Sequence, residues 1–284
     1  MRVRRPRVAV VGHVEWVQFA QIDRVPRAGE VVHAHHPFEE PAGGGAVAAV
    51  QLARLAGSAV LVTALGEDEQ GRRSVERLRE LGVEVRASWR PEPTRRALTL
   101  VDEHRERTIT TIGPRLEPLG SDAAAEWESL ADLDAVYFTA GDVDALRAAR
   151  AASRVLVASP RARHALGHGV ELDALVLSAR DEIERREALR AEDEAALVVM
   201  TEGARGGSFR ARSGGDGRWA ASASPGDPVD AYGCGDSFAA GLTYGLGAGM
   251  TVPQSLELGA RCGAVCLTGS GPYERQLSER DLKG

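Results

Sequence analysis

Residues 230–237 read DAYGCGDS, two glycines and two aspartates ahead of an apolar, alanine-rich stretch. Gly233 and Gly235 permit dihedrals and close approaches that other residues resist, and the stretch from residue 236 to 247 has the pattern of a helix. Successive amides at such a turn, added to the unpaired donors of a helix N-terminus, form a cavity suited to a phosphate or to a phosphoryl group in transit. A carboxylate at a helix start is ordinarily a cap. Capping accounts for Asp236 alone, but not for Asp230 and the two glycines beside it. A carboxylate next to an anion cavity suits alcohol phosphorylation, in which a base takes the hydroxyl proton while donors hold charge on the transferred group.

The rest of the chain must build a frame for that segment. Its 284 residues, 43% hydrophobic and 27% charged, are those of an ordinary globular protein able to bury a large core. A net charge of -6 supplies no long-range positive field, which argues against a nucleic-acid or anionic-membrane binder. Cys234, Cys262 and Cys266 have no CxxC spacing, so neither a disulfide framework nor a zinc site is expected, and a reducing cytoplasm fits. The short apolar run near the N-terminus is too brief to span a membrane and reads as a first strand. The chain contains no asparagine and one lysine, Lys283, so arginine and histidine must fill every basic role within the fold.

Short β-branched runs alternate with alanine-rich helical stretches: RVAVVG, VAAVQLARLAG, AVLVTALG, GRRSVERLRELGV. This rhythm predicts a mostly parallel sheet covered by helices. Residues 95–112 break it, reading as two alternating strands around a polar turn at 102–106, and residues 31–39 are also extended. These interruptions predict a small β-structure projecting over a site as a lid. The rhythm then resumes through DAVYFTAG, RVLVAS, DALVLS and ALVVMTEG, with helices expected over 236–247 and 252–267. The charge-rich stretch 180–194 reads as a solvated face.

With the order of elements in view, DAYGCGDSF resembles the C-terminal signature of the ribokinase-like (PfkB) carbohydrate kinases, D-T-x-G-A-G-D. Four other segments are similar to family motifs in the same order: PAGGGAVAAVQLARLAG at 41–57, LGEDEQGRRSVERLRELGV at 65–83, TLVDEHRERTITTIG at 99–113 and TEGARGG at 201–207. The resemblance implies a single domain over 1–284, a three-layer α/β/α ribokinase-like sandwich with a mostly parallel central sheet. A small projecting β-sheet lid would come from about 14–42 and 94–112. It implies an ATP- and Mg²⁺-dependent kinase acting on a hydroxyl of a sugar or related compound, with Asp236 as base and Gly233, Cys234 and Gly235 as anion hole. Thr201, Gly203 and Gly206 would serve the nucleotide; Glu15, Gly43, Gly44, Gly45 and Arg107 the acceptor side. Asp230 would help hold a monovalent cation such as K⁺, and a homodimer would form through the lid. A backbone-built hole tolerates Cys234 where the family has alanine, and Cys234 as a nucleophile is the lesser reading.

The acceptor side departs from the family pattern. The sugar-anchoring aspartate falls at Val17, Glu15 stands near an asparagine position and Gly45 near another. The magnesium-organising N-x-x-E aligns with SARD at 178–181, where Asp181 alone retains a carboxylate; a surface charge is the competing reading. His13, Trp16, Phe19, His33, His35, His36 and Phe38 fall where pocket and lid are expected. They read as a lid core or dimer contact, or as a stacking surface for a planar substrate. His33 and His35 share a strand face without a third ligand there, which disfavours a metal site. A nucleoside kinase, or a ligand-binding member without turnover, remains an alternative. A dinucleotide-binding oxidoreductase lacks its glycine fingerprint after the first strand.

Overall fold

The computed structural model describes residues 5–282; Lys283 lies outside them. Thirteen strands and six α-helices follow in chain order: β1 (Val8–Val11), β2 (Glu15–Gln21), β3 (His35–Ala42), α1 (Gly44–Ala56), β4 (Ala59–Gly66), α2 (Glu69–Glu80) and β5 (Val83–Arg90). Next come β6 (Arg96–Val101), β7 (Arg107–Ile112), β8 (Leu133–Phe138), α3 (Val143–Ala152), β9 (Ser153–Ala158), β10 (Ala174–Ser178), α4 (Glu182–Ala188) and β11 (Leu197–Thr201). The chain finishes with β12 (Gly207–Ala211), β13 (Asp216–Trp219), α5 (Cys234–Gly247) and α6 (Val252–Cys266).

The main sheet has the order β13-β12-β11-β10-β9-β8-β1-β4-β5. It is parallel from β11 to β5, and only β12 and β13 run antiparallel. Its central strands are buried on both faces, as parallel strands covered by helices must be. One apolar core lies under α1, α2, α5 and α6, with Leu52, Leu55, Leu61 and Leu242 fully buried. The other lies under α3 and α4 around Phe138, Leu146, Leu156 and Leu175. The structure is thus the expected three-layer ribokinase-like α/β/α sandwich. It also contains β5 and the β12–β13 hairpin, which the sequence rhythm left unassigned: their solvated residues and glycines dilute the periodicity on which that reading rests.

The four-stranded lid has the order β3-β2-β6-β7. Its turn is clamped by Asp102, whose Oδ1 accepts from the amides of His104 and Glu106, while Arg105 takes the left-handed conformation (φ 63) that glycine would adopt without strain. The lid has its own small core: Phe19 stacks on Phe38 at 4.8 Å and meets Tyr232 edge-on at 4.9 Å. Of the aromatic residues singled out above, Phe19 and Phe38 therefore pack on each other and Trp16 lies under Arg73, while His33, His35 and His36 are exposed.

Asp68 joins the lid to the frame. Its carboxylate caps α2 through the Gly71 amide (2.8 Å) and also accepts from the amide and hydroxyl of Thr94 (both 2.7 Å), at the entry to β6. Burial pushes its pKa up, but the hydrogen bonds from Thr94 and Gly71 outweigh that and hold it below its ordinary 3.8. The stabilisation is therefore complete above about pH 3.8 and is lost as pH falls through the lower folded value. Asp68→Ala should lower the melting temperature by roughly 2–6 °C at pH 7. In paired thermal melts, that gap should narrow at pH 3; a gap independent of pH would refute the carboxylate's role.

Candidate active site

Strand β1 sits where the chain's direction of travel across the sheet reverses, with β4 on one side and β8 on the other. In open α/β sheets, the crevice beyond the carboxyl ends of strands at such a point is where ligands bind. Gly12 and His13 follow β1 there, Thr139 follows β8, and Arg161 lies three residues beyond the end of β9. The starts of α1 and α5 enter the same crevice. A Cβ on Gly12 would lie 2.5 Å from Thr139 Cγ2 and 2.8 Å from Gly45 Cα, so bare backbone is what lets α1 approach β1.

Helix α5 begins at Cys234 after Gly233, which is left-handed (φ 79) and packed so that a Cβ would come 3.0 Å from Val47. The Cys234 amide turns back to the Ala231 carbonyl at 3.4 Å, and Ser237 N donates to Gly233 O at 2.8 Å. The amides of Gly235 and Asp236 make no hydrogen bond among the described residues, and a Cβ on Gly235 would meet nothing within 4 Å. Two free donors thus sit at the positive end of a helix, with open space beside Gly235. The Cys234 thiol is pushed up by its hydrogen bond with Cys266 and by burial, which opposes thiolate chemistry.

The carboxylate of Asp236 is 9% exposed by residue, and its Oδ1 accepts from Arg161 Nη1 at 2.6 Å. Arg161 Nε donates in turn to Glu184 Oε1 at 2.8 Å, and Glu184 Oε2 accepts from the Ser178 amide at 2.8 Å. Asp236 is the main cause holding the Arg161 guanidinium well above its ordinary value; burial opposes it and Glu184 adds to it. Sequence reading missed this chain of charges. Glu184 lies within the stretch taken as a solvated face, yet it is 5% exposed because Arg161 and Ser178 give it partners. Its absence from the surface corrects that reading.

Across from Asp236, α1 opens with three glycines that differ in surroundings. A Cβ on Gly44 would lie 3.0 Å from Arg161 Nη1, 3.1 Å from Asp236 Oδ1 and 3.2 Å from Thr139 Oγ1. One on Gly43 would lie 3.1 Å from His13 Cδ2 and 3.2 Å from Glu15 Cγ. Gly45 instead packs on backbone, 2.7 Å from His13 O at the Cβ position. Glu15 and His13 bond to each other (Oε1 to Nε2, 3.1 Å), and Arg95 Nε lies 3.8 Å from Glu15 Oε2, near enough for ion pairing but too far for a hydrogen bond. Burial lowers the His13 pKa despite Glu15, so the ring is neutral near pH 7, donating through Nε2. His13 Nδ1, Thr139 Oγ1 and Arg95 Nε are buried without a hydrogen-bond partner. Unmet polar groups around a crevice are what a polar ligand would satisfy. Val17 is wholly buried apolar surface on the same strand.

The remaining sequence candidates lie around this centre. Both oxygens of buried Asp230 accept backbone amides, from Tyr232 at 2.8 Å and Gly271 at 3.0 Å. Exposed Arg107 reaches from the lid to the Ala231 carbonyl, Nη1 to O at 2.7 Å. Asp181 caps α4, its Oδ1 accepting from Ile183 and Glu184 amides at 2.9 and 3.0 Å. Thr201 ends β11, and Gly203 and Gly206 hold the next turn with φ 62 and 80. Among the described residues no cluster of three His, Cys, Asp or Glu forms a metal cage.

A family model described as pfkB family carbohydrate kinase matches residues 5–279. A comparison with curated proteins found no match. Among solved structures, the chain is similar to Arabidopsis thaliana ribokinase complexed with ribose and ATP, at TM-score 0.76 and 18% identity over 98% of this chain and 97% of that one. It is similar to Thermotoga maritima ribokinase at TM-score 0.75 and 18% identity, over 98% of each chain. A Methanocaldococcus jannaschii nucleoside kinase of the ribokinase family aligns at TM-score 0.73 and 14% identity, over 98% and 97%. Such identities establish a shared fold, whereas the family match runs through the frame, the lid and the start of α5 alike. By that match the chain belongs to the pfkB family of carbohydrate kinases, phosphotransferases with an alcohol group as acceptor.

Proposed function

We propose that this chain transfers the γ-phosphoryl group of ATP to a hydroxyl of a sugar or sugar-like acceptor, with Asp236 as the general base. The observation that carries the reading is the pairing, at the start of α5, of a held carboxylate with the unbonded amides of Gly235 and Asp236. Asp236 takes the hydroxyl proton as the acceptor oxygen bonds to phosphorus; the bond from phosphorus to the bridging oxygen breaks, and ADP leaves with that electron pair. The Gly233, Cys234 and Gly235 turn shapes the anion hole, and the unbonded amides of Gly235 and Asp236 hold the charge on the phosphoryl oxygens. Gly43 and Gly44 let the acceptor approach the backbone, and Glu15, His13 and Thr139 offer it hydrogen bonds. Thr201, Gly203 and Gly206 lie at the carboxyl end of β11, where the nucleotide would run.

Mg²⁺ suits this donor set as an ion carried by the polyphosphate. It keeps most of its waters and needs few carboxylates, which fits one capping aspartate, Asp181, rather than a protein cage. When bound it neutralises phosphate charge. A monovalent cation fits less well: both Asp230 oxygens already accept amides, and the Arg107 guanidinium supplies positive charge to the same loop. Free Cys234, Cys262 and Cys266 suit a reducing cytoplasm, and no described helix is long and apolar enough to cross a membrane.

A sugar is favoured over a nucleoside because the lid aromatics are already stacked on one another and Arg73 covers the Trp16 ring at 4.3 Å. With Mg-ATP and a panel of sugars, sugar acids and nucleosides, phosphorylation is expected for a sugar-class acceptor. Asp236→Asn should reduce turnover by roughly 10²–10⁴. If nothing in the panel is phosphorylated above that variant's background, the kinase reading is overturned. Gly44→Ala places a methyl against Arg161 and Asp236 and should lower kcat by about tenfold or more, since small misplacements at a reacting centre are expensive; unchanged kcat would refute the close approach.

The lid also supports a homodimer. All six residues of edge strand β7 are exposed, Ile109 by 43% and Ile112 by 49%, and no lysine, glutamate or proline between Thr108 and Ile112 discourages pairing. Light scattering should find a dimer for the native chain and a monomer for Ile109→Lys. A native monomer at micromolar concentration would overturn the interface.

A further inference from the structure

Once a phosphoryl group is placed beside Asp236, the charge around it does not balance. Two backbone amides and a helix end amount to roughly half a positive charge, whereas the transition state spreads several negative charges over the transferring oxygens. Other phosphoryl-transfer sites add a lysine or an arginine at this point, and an arginine supplied there raises turnover by roughly 10³–10⁵. This chain has no lysine among its described residues, and the start of α1 is glycine at three successive positions.

The nearest full positive charge is Arg161. Its Nη1 is 2.6 Å from Asp236 Oδ1, and its Nε is fixed by Glu184. Its backbone carbonyl is held as well, by Arg115 Nη2 at 2.8 Å. The Nη2 group makes no hydrogen bond among the described residues, and the side chain remains 35% exposed. Gly44 lets α1 come close to this guanidinium, since a Cβ there would press on Nη1 at 3.0 Å. The guanidinium is thus oriented by two carboxylates while part of its donor set stays unused at the mouth of the crevice.

We propose that Arg161 completes the anion hole, donating its unused guanidinium N–H groups to the γ-phosphoryl group while its bond to Asp236 keeps the base aimed at the acceptor. This rests on the kinase reading above and adds a residue to it. Glu184 is then a positioning residue, which explains why a glutamate is buried at the start of α4. Arg107 differs in its setting: its Nη1 donates to the Ala231 carbonyl, and among the described residues no carboxylate bond orients its guanidinium beside Asp236.

The inference is testable without knowing the acceptor. By titration calorimetry, the Kd of a non-hydrolysable ATP analogue with an imido β–γ bridge is compared with that of ADP, both with Mg²⁺, for the native chain, Arg161→Gln and Arg161→Lys. Loss of the guanidinium should raise the Kd of the analogue at least tenfold in the glutamine variant and leave that of ADP within about twofold. The lysine variant should lose less than the glutamine variant, because it returns the charge without the fork of donors. Retained ADP binding also shows that each variant is folded, and if the glutamine variant does not fold, the lysine variant carries the comparison, with an expected threefold to tenfold loss confined to the analogue. Equal losses for analogue and ADP, or no loss for either, would overturn the role of Arg161 and leave the kinase reading standing. A native chain that binds neither nucleotide would remove both.

Discussion

The starts of α1 and α5 converge on the end of β1, and the backbone there is nearly bare of side chains. A Cβ at Gly12 would strike Thr139 and α1, one at Gly233 would press on Val47, and one at Gly44 would reach the Asp236 carboxylate. Remove that convergence and the crevice loses its donors, its carboxylate and its acceptor wall together. The sheet supplies the geometry: seven parallel strands deliver their carboxyl ends to one side, so loops far apart in sequence arrive at one place. Residues 12–15, 43–45, 139, 161 and 233–236 meet because each follows a strand or opens a helix at that edge.

Charge is arranged there in short alternating chains. Glu184, Arg161 and Asp236 form one, and Glu15, which also accepts from the neutral His13 ring, pairs with Arg95 in another. Buried pairs of this kind contribute little net stability, since desolvation offsets much of the attraction, but they fix geometry firmly. Glu15 illustrates the balance. Burial alone would raise its pKa, yet the hydrogen bond from His13 and the nearby charges of Arg95 and Arg115 lower it, so it meets a ligand as a carboxylate. The site therefore presents a carboxylate acceptor of hydrogen bonds, Glu15, on one wall and the Arg161-held carboxylate of Asp236 on the other.

Much of the frame was legible in the sequence because parallel strands and their covering helices have strong, simple patterns. The lid hairpin was legible too, since its break in rhythm falls between 95 and 112. Asp236 stood out because capping could not explain its neighbours. Arg161 did not, because in SPRARH an arginine has nothing local to mark it; its partners lie 23 and 75 residues away. Glu184 was hidden by composition, as one acid among many in a helix where Glu182, Arg185 and Arg186 are exposed. Thr139 looked like the end of a strand and nothing more. Strands β5, β12 and β13 were missed because strands exposed on one side mix polar and apolar residues too evenly.

The lid is tied to the frame at several points. Strand β2 begins three residues after β1 ends, and β3 passes into α1 across Gly43 alone, held left-handed (φ 88) with its amide on the Tyr232 hydroxyl. Strand β6 is pinned by Asp68 through Thr94, and Arg107 grips the loop ahead of α5. A flap hung on one flexible hinge can swing without disturbing what lies beneath it. This one cannot: its connections are short, and two of them run straight into the residues around Asp236. Any opening must be a twisting of the sheet about several anchored corners, so admitting a ligand and adjusting the backbone around Asp236 are one mechanical event.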